Sequence, residues 1–203
     1  MMKKLLFAAS FAFSVGLAGA TPTLGQPAPA FTAVDATGKT VSLADFKGRT
    51  VVLEWVNPGC PFVQKHYGAA NMQATQKDAT AKGVVWLSIN STAPDAEDYL
   101  RPAEMAQWMR TQKAASTATL MDSDGKVGRA YGARTTPHLY IVDPAGQLVY
   151  AGGIDNKPST NPADIAGATN YVKAALNETL AGKPVSQAST RPYGCSIKYQ
   201  SGA

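Results

Sequence analysis

The sequence predicts an α/β protein: a central mixed sheet with helices on both faces. Three observations predict it. Residues 50–56 (TVVLEWV) and 84–89 (VVWLSI) are nearly all apolar and rich in β-branched residues, the pattern of strands covered on both sides. Segments with helical spacing alternate with such runs, which is how a sheet clad in crossover helices is built. No internal repeat and no second domain are evident, and 203 residues suffice for one sizeable core.

The elements follow in order. Residues 21–30 carry three prolines and little periodicity, and read as an extended arm. A turn-like Ala36-Thr37-Gly38-Lys39 precedes a short alternating piece, 40–43. Asn57-Pro58-Gly59 breaks the strand 50–56. From Pro61 to about Lys82, Phe62, Val63, His66, Tyr67 and Ala70 recur at helical spacing, which predicts one long helix kinked at Gly68 and ended by Gly83. Residues 102–115 read as a helix opened by Pro102, residues 117–121 as a strand, and 126–131 as a short helix closed by Gly132. Residues 138–142 and 147–150 flank Asp143-Pro144-Ala145-Gly146 and read as a hairpin. Residues 162–181 carry Ile165, Ala168, Tyr171, Val172, Ala175, Leu176 and Leu180, predicting a last helix closed by Gly182. The tail, 183–203, has no clear element. Its Tyr193, Cys195, Ile197 and Tyr199 are too apolar for a solvated segment, so it is expected to pack on the body.

Residues 1–20 read as an export signal. Lys3 and Lys4 precede an apolar run, 5–17, interrupted by Ser10, Ser14 and Gly16, and Ala18-Gly19-Ala20 supplies a cleavage site. An uncleaved anchor is the alternative, but the run falls short of the about 20 residues that span a membrane, and no later segment approaches that length. Cleavage would leave residues 21–203 as a periplasmic domain with no stable membrane span. Loss of Lys3 and Lys4 would lower the formal charge from +5 to +3. The basic residues do not cluster, so nothing supports nucleic-acid binding.

Cys60 is the residue on which chemistry is expected. It stands between a buried strand and a helix, and Pro61 suits the first helical position. Cys60 is then the N-cap, where a thiolate would accept N–H groups from Phe62 or Val63 and feel the positive end of the helix dipole. Cysteines so placed have pKa values of about 3.5–7.5 and attack disulfides and peroxides. A cysteine that merely caps and staples is the competing reading. Glu54 interrupts the apolar strand six positions earlier. Buried, it would hold a raised pKa and accept a proton behind Cys60; otherwise it pairs with a Lys or Arg at the sheet edge. Export favours disulfides, and Cys195 is the one other cysteine. His66 lies some 240° around the helix from Cys60, so a direct Cys–His pair is not expected. With His138 it completes two Cys and two His, whose spacing matches no usual zinc pattern; no metal and no cofactor are expected.

The residues also resemble known groups. Gly25-Gln26-Pro27-Ala28-Pro29-Ala30-Phe31, then Asp35, Gly38, Val41, Leu43, Asp45-Phe46 and Gly48, resemble the opening of the redoxin families. Thr136-Pro137 and Asp143-Pro144-Ala145-Gly146 resemble the back half of a thioredoxin fold. Asn57 through Val63, Tyr150 with Gly153-Ile154-Asp155, and Gly194-Cys195-Ser196-Ile197-Lys198-Tyr199 are similar to the AhpC/TSA peroxiredoxin-like group. The resemblance implies a thioredoxin-like fold with a cis bond at Thr136-Pro137 beside Cys60. There are departures. Val63 stands where thioredoxins carry a second cysteine, Asn57 where peroxiredoxins carry Thr or Ser, and Arg134 is only a candidate for the peroxiredoxin arginine.

Three functions follow as expectations. The first is a thiol-disulfide oxidoreductase or thiol-dependent antioxidant: Cys60 attacks a protein disulfide or a peroxide, Cys195 resolves, Glu54 handles the proton, and an external thiol reductant restores the enzyme. Thr136, Pro137, Pro61 and Asn57 would border the substrate, with the strand edge at Thr136-Pro137 free to pair with an extended chain. The second is a non-catalytic module stapled by a structural Cys60–Cys195 bond, worth about 5 kcal/mol on chain entropy. The third is a copper- or haem-handling protein using the Cys, His and Met residues.

Overall fold

The computed structural model describes residues 22–201; the expected export signal lies outside them. The two apolar runs lie side by side in a seven-stranded mixed sheet. The hairpin β1 (Thr32–Asp35) and β2 (Thr40–Ser42) leads through a 3-10 turn (Leu43–Phe46) to β3 (Val51–Trp55), then α1 (Pro61–Gly68), α2 (Asn71–Ala81), β4 (Val85–Asn90), α3 (Pro102–Thr111), β5 (Ala118–Met121) and α4 (Lys126–Tyr131). The two-residue β6 (Thr135–Thr136), β7 (His138–Val142), β8 (Leu148–Gly152), a second 3-10 turn (Pro162–Gly167), α5 (Tyr171–Leu180) and the two-residue β9 (Cys195–Ser196) complete the order. The sheet runs β2-β1-β5-β4-β3-β7-β8. β3 is parallel to β4 and β4 to β5, and the other pairs are antiparallel.

Alternation across β3 splits the core in two. Val52 and Val56 face α1, α2, α3 and α5 with Trp86, Met105, Ile141 and Val172. Val51, Leu53 and Trp55 face α4 and the N-terminal arm with Phe31, Leu87, Tyr131 and Tyr140. The expected clothing of both faces is what the structure shows.

Two expected helices are corrected. The helix over 61–82 is two helices, because Ala70 takes a left-handed conformation (φ 56°). Gln73 offsets the break: its Nε2 donates to the Tyr67 carbonyl at 2.8 Å. The break also lets each helix aim one donor, Tyr67 and Gln76, at the same Glu54 carboxylate. The helix over 162–181 is a 3-10 turn followed by α5. Ala168 is extended, and Asn170 caps α5 by accepting from the Lys173 N–H at 2.9 Å. The hairpin strand β1 was not foreseen. The tail packs on the body as expected and adds β9, antiparallel to β6.

Candidate active site

The loop after β3 is shaped by Asn57. Its Oδ1 accepts from the Gly59 N–H at 2.8 Å, and its Nδ2 donates to Thr92 and Asp98. Cys60 emerges as the extended N-cap of α1, with Pro61 in the first turn, as the sequence implied. The sulfur does not cap the helix; it turns away and is bonded to Cys195, with the two Cα atoms 5.8 Å apart. Cys60 is 2% exposed, and its Sγ lies 3.1 Å from the Thr136 carbonyl oxygen, the atom to which a reduced thiol would donate. The Thr136-Pro137 bond is cis, as the resemblance implied. Thr136 Oγ1 is buried and has no hydrogen-bond partner among the described residues, so one polar group at the site is unspent.

Cys195 arrives on β9, where it opposes Thr136. Only glycine fits before it. Gly194 has φ 140°, and a Cβ there would overlap the Thr136 carbonyl. Anchors hold the tail on both sides. Ahead of Cys195, the Tyr193 hydroxyl donates to Asp155 Oδ1 at 2.6 Å and lies 3.0 Å from His66 Nε2. His66 Nδ1 faces the Asn71 amide nitrogen at 2.8 Å. This donor order puts the neutral imidazole proton on Nε2, running Asn71 to His66 to Tyr193 to Asp155. Burial pushes His66 down to about 4, against the pull of Asp155. Beyond Cys195, Ile197 N–H donates to the Arg134 carbonyl, Lys198 pairs with Asp98 at 2.9 Å, and the Tyr199 hydroxyl donates to the Ala133 carbonyl.

Glu54 is fully buried and pairs with no cation. It accepts from Tyr67 (2.9 Å), Gln76 (3.0 Å), Trp86 (2.7 Å) and Ser88 (3.1 Å), all neutral donors. The alternative of a Lys or Arg at the sheet edge is therefore corrected: β3 is an inner strand, and among the described residues no basic side chain bonds to Glu54. Burial raises the carboxyl above its ordinary value, while the four donors pull it down. Its hydrogen bonds go to α1, α2 and β4; Cys60 is not among the partners.

The structure brings Cys60, Pro61, Asn57, Thr136, Pro137 and Cys195 together; Glu54 is buried in the strand before them, bonded to other residues. Arg134 contributes its backbone carbonyl to the tail, and its side chain is exposed. His138 is buried against Tyr140 on the other face of the sheet, pushed down to about 3 by burial and Arg134. Sequence reasoning missed the contacts of Tyr193 and Asp155 with His66; the apolar tail was the signal that pointed that way. Among the described residues, no three His, Cys, Asp or Glu side chains are grouped to hold a metal, and no helix is long and apolar enough to cross a membrane.

Comparison with known proteins places this geometry. A model of the AhpC/TSA family matches residues 24–151. The chain belongs to the AhpC/TSA family. The match takes in Cys60 and stops before Cys195. A protein of Mycobacterium tuberculosis that carries a provisional peroxiredoxin name is 30% identical over 145 residues, covering 64% of this chain and 83% of its own. A structure of an uncharacterised conserved protein from Geobacillus kaustophilus has a TM-score of 0.77 at 30% identity, over 89% of this chain and 94% of that one. A provisionally named thiol:disulfide interchange protein from Chlorobium tepidum matches at a TM-score of 0.53 and 22% identity, over 64% and 85% of the two chains, a likeness of fold. The fold is thioredoxin-like.

Proposed function

We propose that the chain is an exported, periplasmic thiol-disulfide oxidoreductase or thiol-dependent antioxidant, with Cys60 as nucleophile and Cys195 as resolving partner. The observation that carries the reading is the bond joining the cysteine at the start of α1 to a cysteine delivered beside Thr136. Membership of the AhpC/TSA family supports the class.

In the reduced protein the helix start favours the Cys60 thiolate. The thiolate attacks one sulfur of a disulfide; that bond breaks, one thiolate leaves, and Cys60 carries the other half. Cys195, as thiolate, attacks the Cys60 sulfur and expels the second thiolate, closing Cys60–Cys195. With a peroxide ROOH, the thiolate takes the terminal oxygen, the O–O bond breaks and ROH leaves after protonation. Cys195 then condenses with the Cys60 sulfenic acid and water departs. Either way the protein is oxidised by two electrons, which an external dithiol or two thiols return. Glu54 is the store for the proton that Cys60 gives up. Asn57, Pro61, Thr136 and Pro137 border the substrate.

A structural bond is the second reading, favoured by the near-complete burial of Cys60. Alkylation at stepped reductant potentials, followed by intact mass, separates the two. The redox reading expects the bond to open near a thioredoxin-like potential, about −270 mV. A bond that resists strong reductant, with no thiol titrating below about pH 8, leaves only the staple.

A further inference from the structure

The edge of β6 is where an extended substrate chain would have to lie to present a disulfide to Cys60. It borders the Cys60 sulfur at the Thr136 carbonyl, and a strand edge pairs with any extended segment through backbone hydrogen bonds. The protein's own tail fills that edge: Thr135 opposes Ser196, and Thr136 opposes Cys195.

The tail's hold does not depend on the disulfide. Tyr193 is fastened to Asp155 and His66 on one side of Cys195. On the other side, the Ile197 N–H donates to the Arg134 carbonyl at 3.0 Å, and the Lys198 carbonyl accepts from the Ala93 N–H at 2.8 Å. The Tyr199 ring then lies where a side chain on Gly128 would be, and Arg129 stacks over it at 4.8 Å. None of these contacts involves either sulfur atom.

We infer that the tail, residues 193–199, selects the substrate class of Cys60: it stays docked in the reduced protein, denies the β6 edge to extended polypeptides, and leaves Cys60 to small peroxides and low-molecular-weight disulfides. The inference rests on the redox reading above. A polypeptide needs the register that β9 occupies; a small reagent needs only a gap. A cleft of about 520 Å³ bordered by Thr135, Asp155, Tyr171, Arg191 and Gly194 flanks the tail one residue from Cys195, although neither cysteine lines it. With a small disulfide the balance is that of ordinary exchange: Cys60 takes one half and releases one thiolate, and the docked Cys195 displaces the other.

The test uses the reduced protein with three oxidants: hydrogen peroxide, glutathione disulfide and an unfolded polypeptide containing a disulfide. Tyr199→Ala and Lys198→Ala loosen the tail at a distance from both sulfurs, and the second removes only a surface charge should the first fail to fold. The wild type should react with the small oxidants and slowly with the polypeptide, and either variant should raise the polypeptide-to-peroxide rate ratio, by roughly tenfold for Tyr199→Ala. The Ile197 amide should keep its hydrogen-exchange protection after reduction. Wild-type exchange with the polypeptide as fast as with glutathione disulfide, or loss of Ile197 protection on reduction, overturns the inference and leaves the redox reading standing. Failure of reduced Cys60 to react in the small-oxidant arms overturns the redox reading itself, and this inference with it.

Discussion

The two ends of the Cys60–Cys195 bond are held in opposite ways. Cys60 is placed from its own neighbourhood: β3 ends, Asn57 closes a turn on Gly59, the Cys60 N–H donates to the Asn57 carbonyl, and Pro61 starts α1. Cys195 is placed from afar: Tyr193 reaches His66 across 127 positions, and β9 exists only by pairing with β6. The difference teaches that the proposed nucleophile belongs to the body, whereas its partner is delivered by tertiary contacts. Perturbing the tail should therefore spare the first chemical step with small oxidants and damage the second.

The cysteines give the sharpest form of the comparison. Cys60→Ser should abolish all turnover. Cys195→Ser should keep the first reaction and lose the rest, with Cys60 trapped as sulfenic acid or mixed disulfide; intact mass after one equivalent of oxidant reads this directly. Gly194→Val comes next. It drives a side chain into the Thr136 carbonyl at a positive φ, and should cost the oxidised form about 3 kcal/mol in denaturant unfolding. The reduced form should lose less, because a tail strained by the new side chain can shift once the covalent bond no longer holds it.

Acid probes the anchor ahead of Cys195. Burial lowers His66 from 6.5 to about 4. Between those values the unfolded chain binds a proton that the folded one refuses, so stability falls as pH drops through that window. His66→Gln should flatten this part of the pH profile. Glu54 runs the other way on the body side. Its carboxyl is raised from 4.5, so its contribution is present below that value and is lost as pH rises through the folded value. The stability gap between Glu54→Gln and wild type should shift in favour of the glutamine as pH rises. The smallest effect belongs to Lys198→Ala: the Lys198–Asp98 pair is half exposed on the lysine side, so its loss should cost at most about 0.5 kcal/mol of unfolding free energy.

The same contrast decided what the sequence could reveal. The strand–turn–helix around Cys60 was legible because each step has a local signature: a β-rich apolar run, Asn-Pro-Gly, then proline at a helix start. Glu54 stood out for the same reason, as a charge in an apolar run. Its partners did not, since Tyr67, Gln76, Trp86 and Ser88 converge from two helices and a neighbouring strand. The helix break at Ala70 was hidden because alanine favours helix; the tertiary demand that both α1 and α2 reach Glu54 overrides that propensity. β1, β6 and β9 are two to four residues long and have no periodicity to read. The apolar tail announced that Tyr193 would pack on the body, but nothing near it in the chain names its partners His66 and Asp155.

The last strand of the seven-stranded sheet ends at Gly152, and the tail pairs with that sheet only at its edge, where Ser189 bridges Ala151. The tail is thus a tethered ligand of its own domain. A segment on a short tether meets its site at an effective concentration of about millimolar, and here Ala188 and Thr190 are hydrogen-bonded to Ala151, which shortens the tether further. A free thiol in the surroundings must exceed that figure to intercept Cys60 before Cys195 does, so the tether makes closure of the bond insensitive to how dilute the protein is.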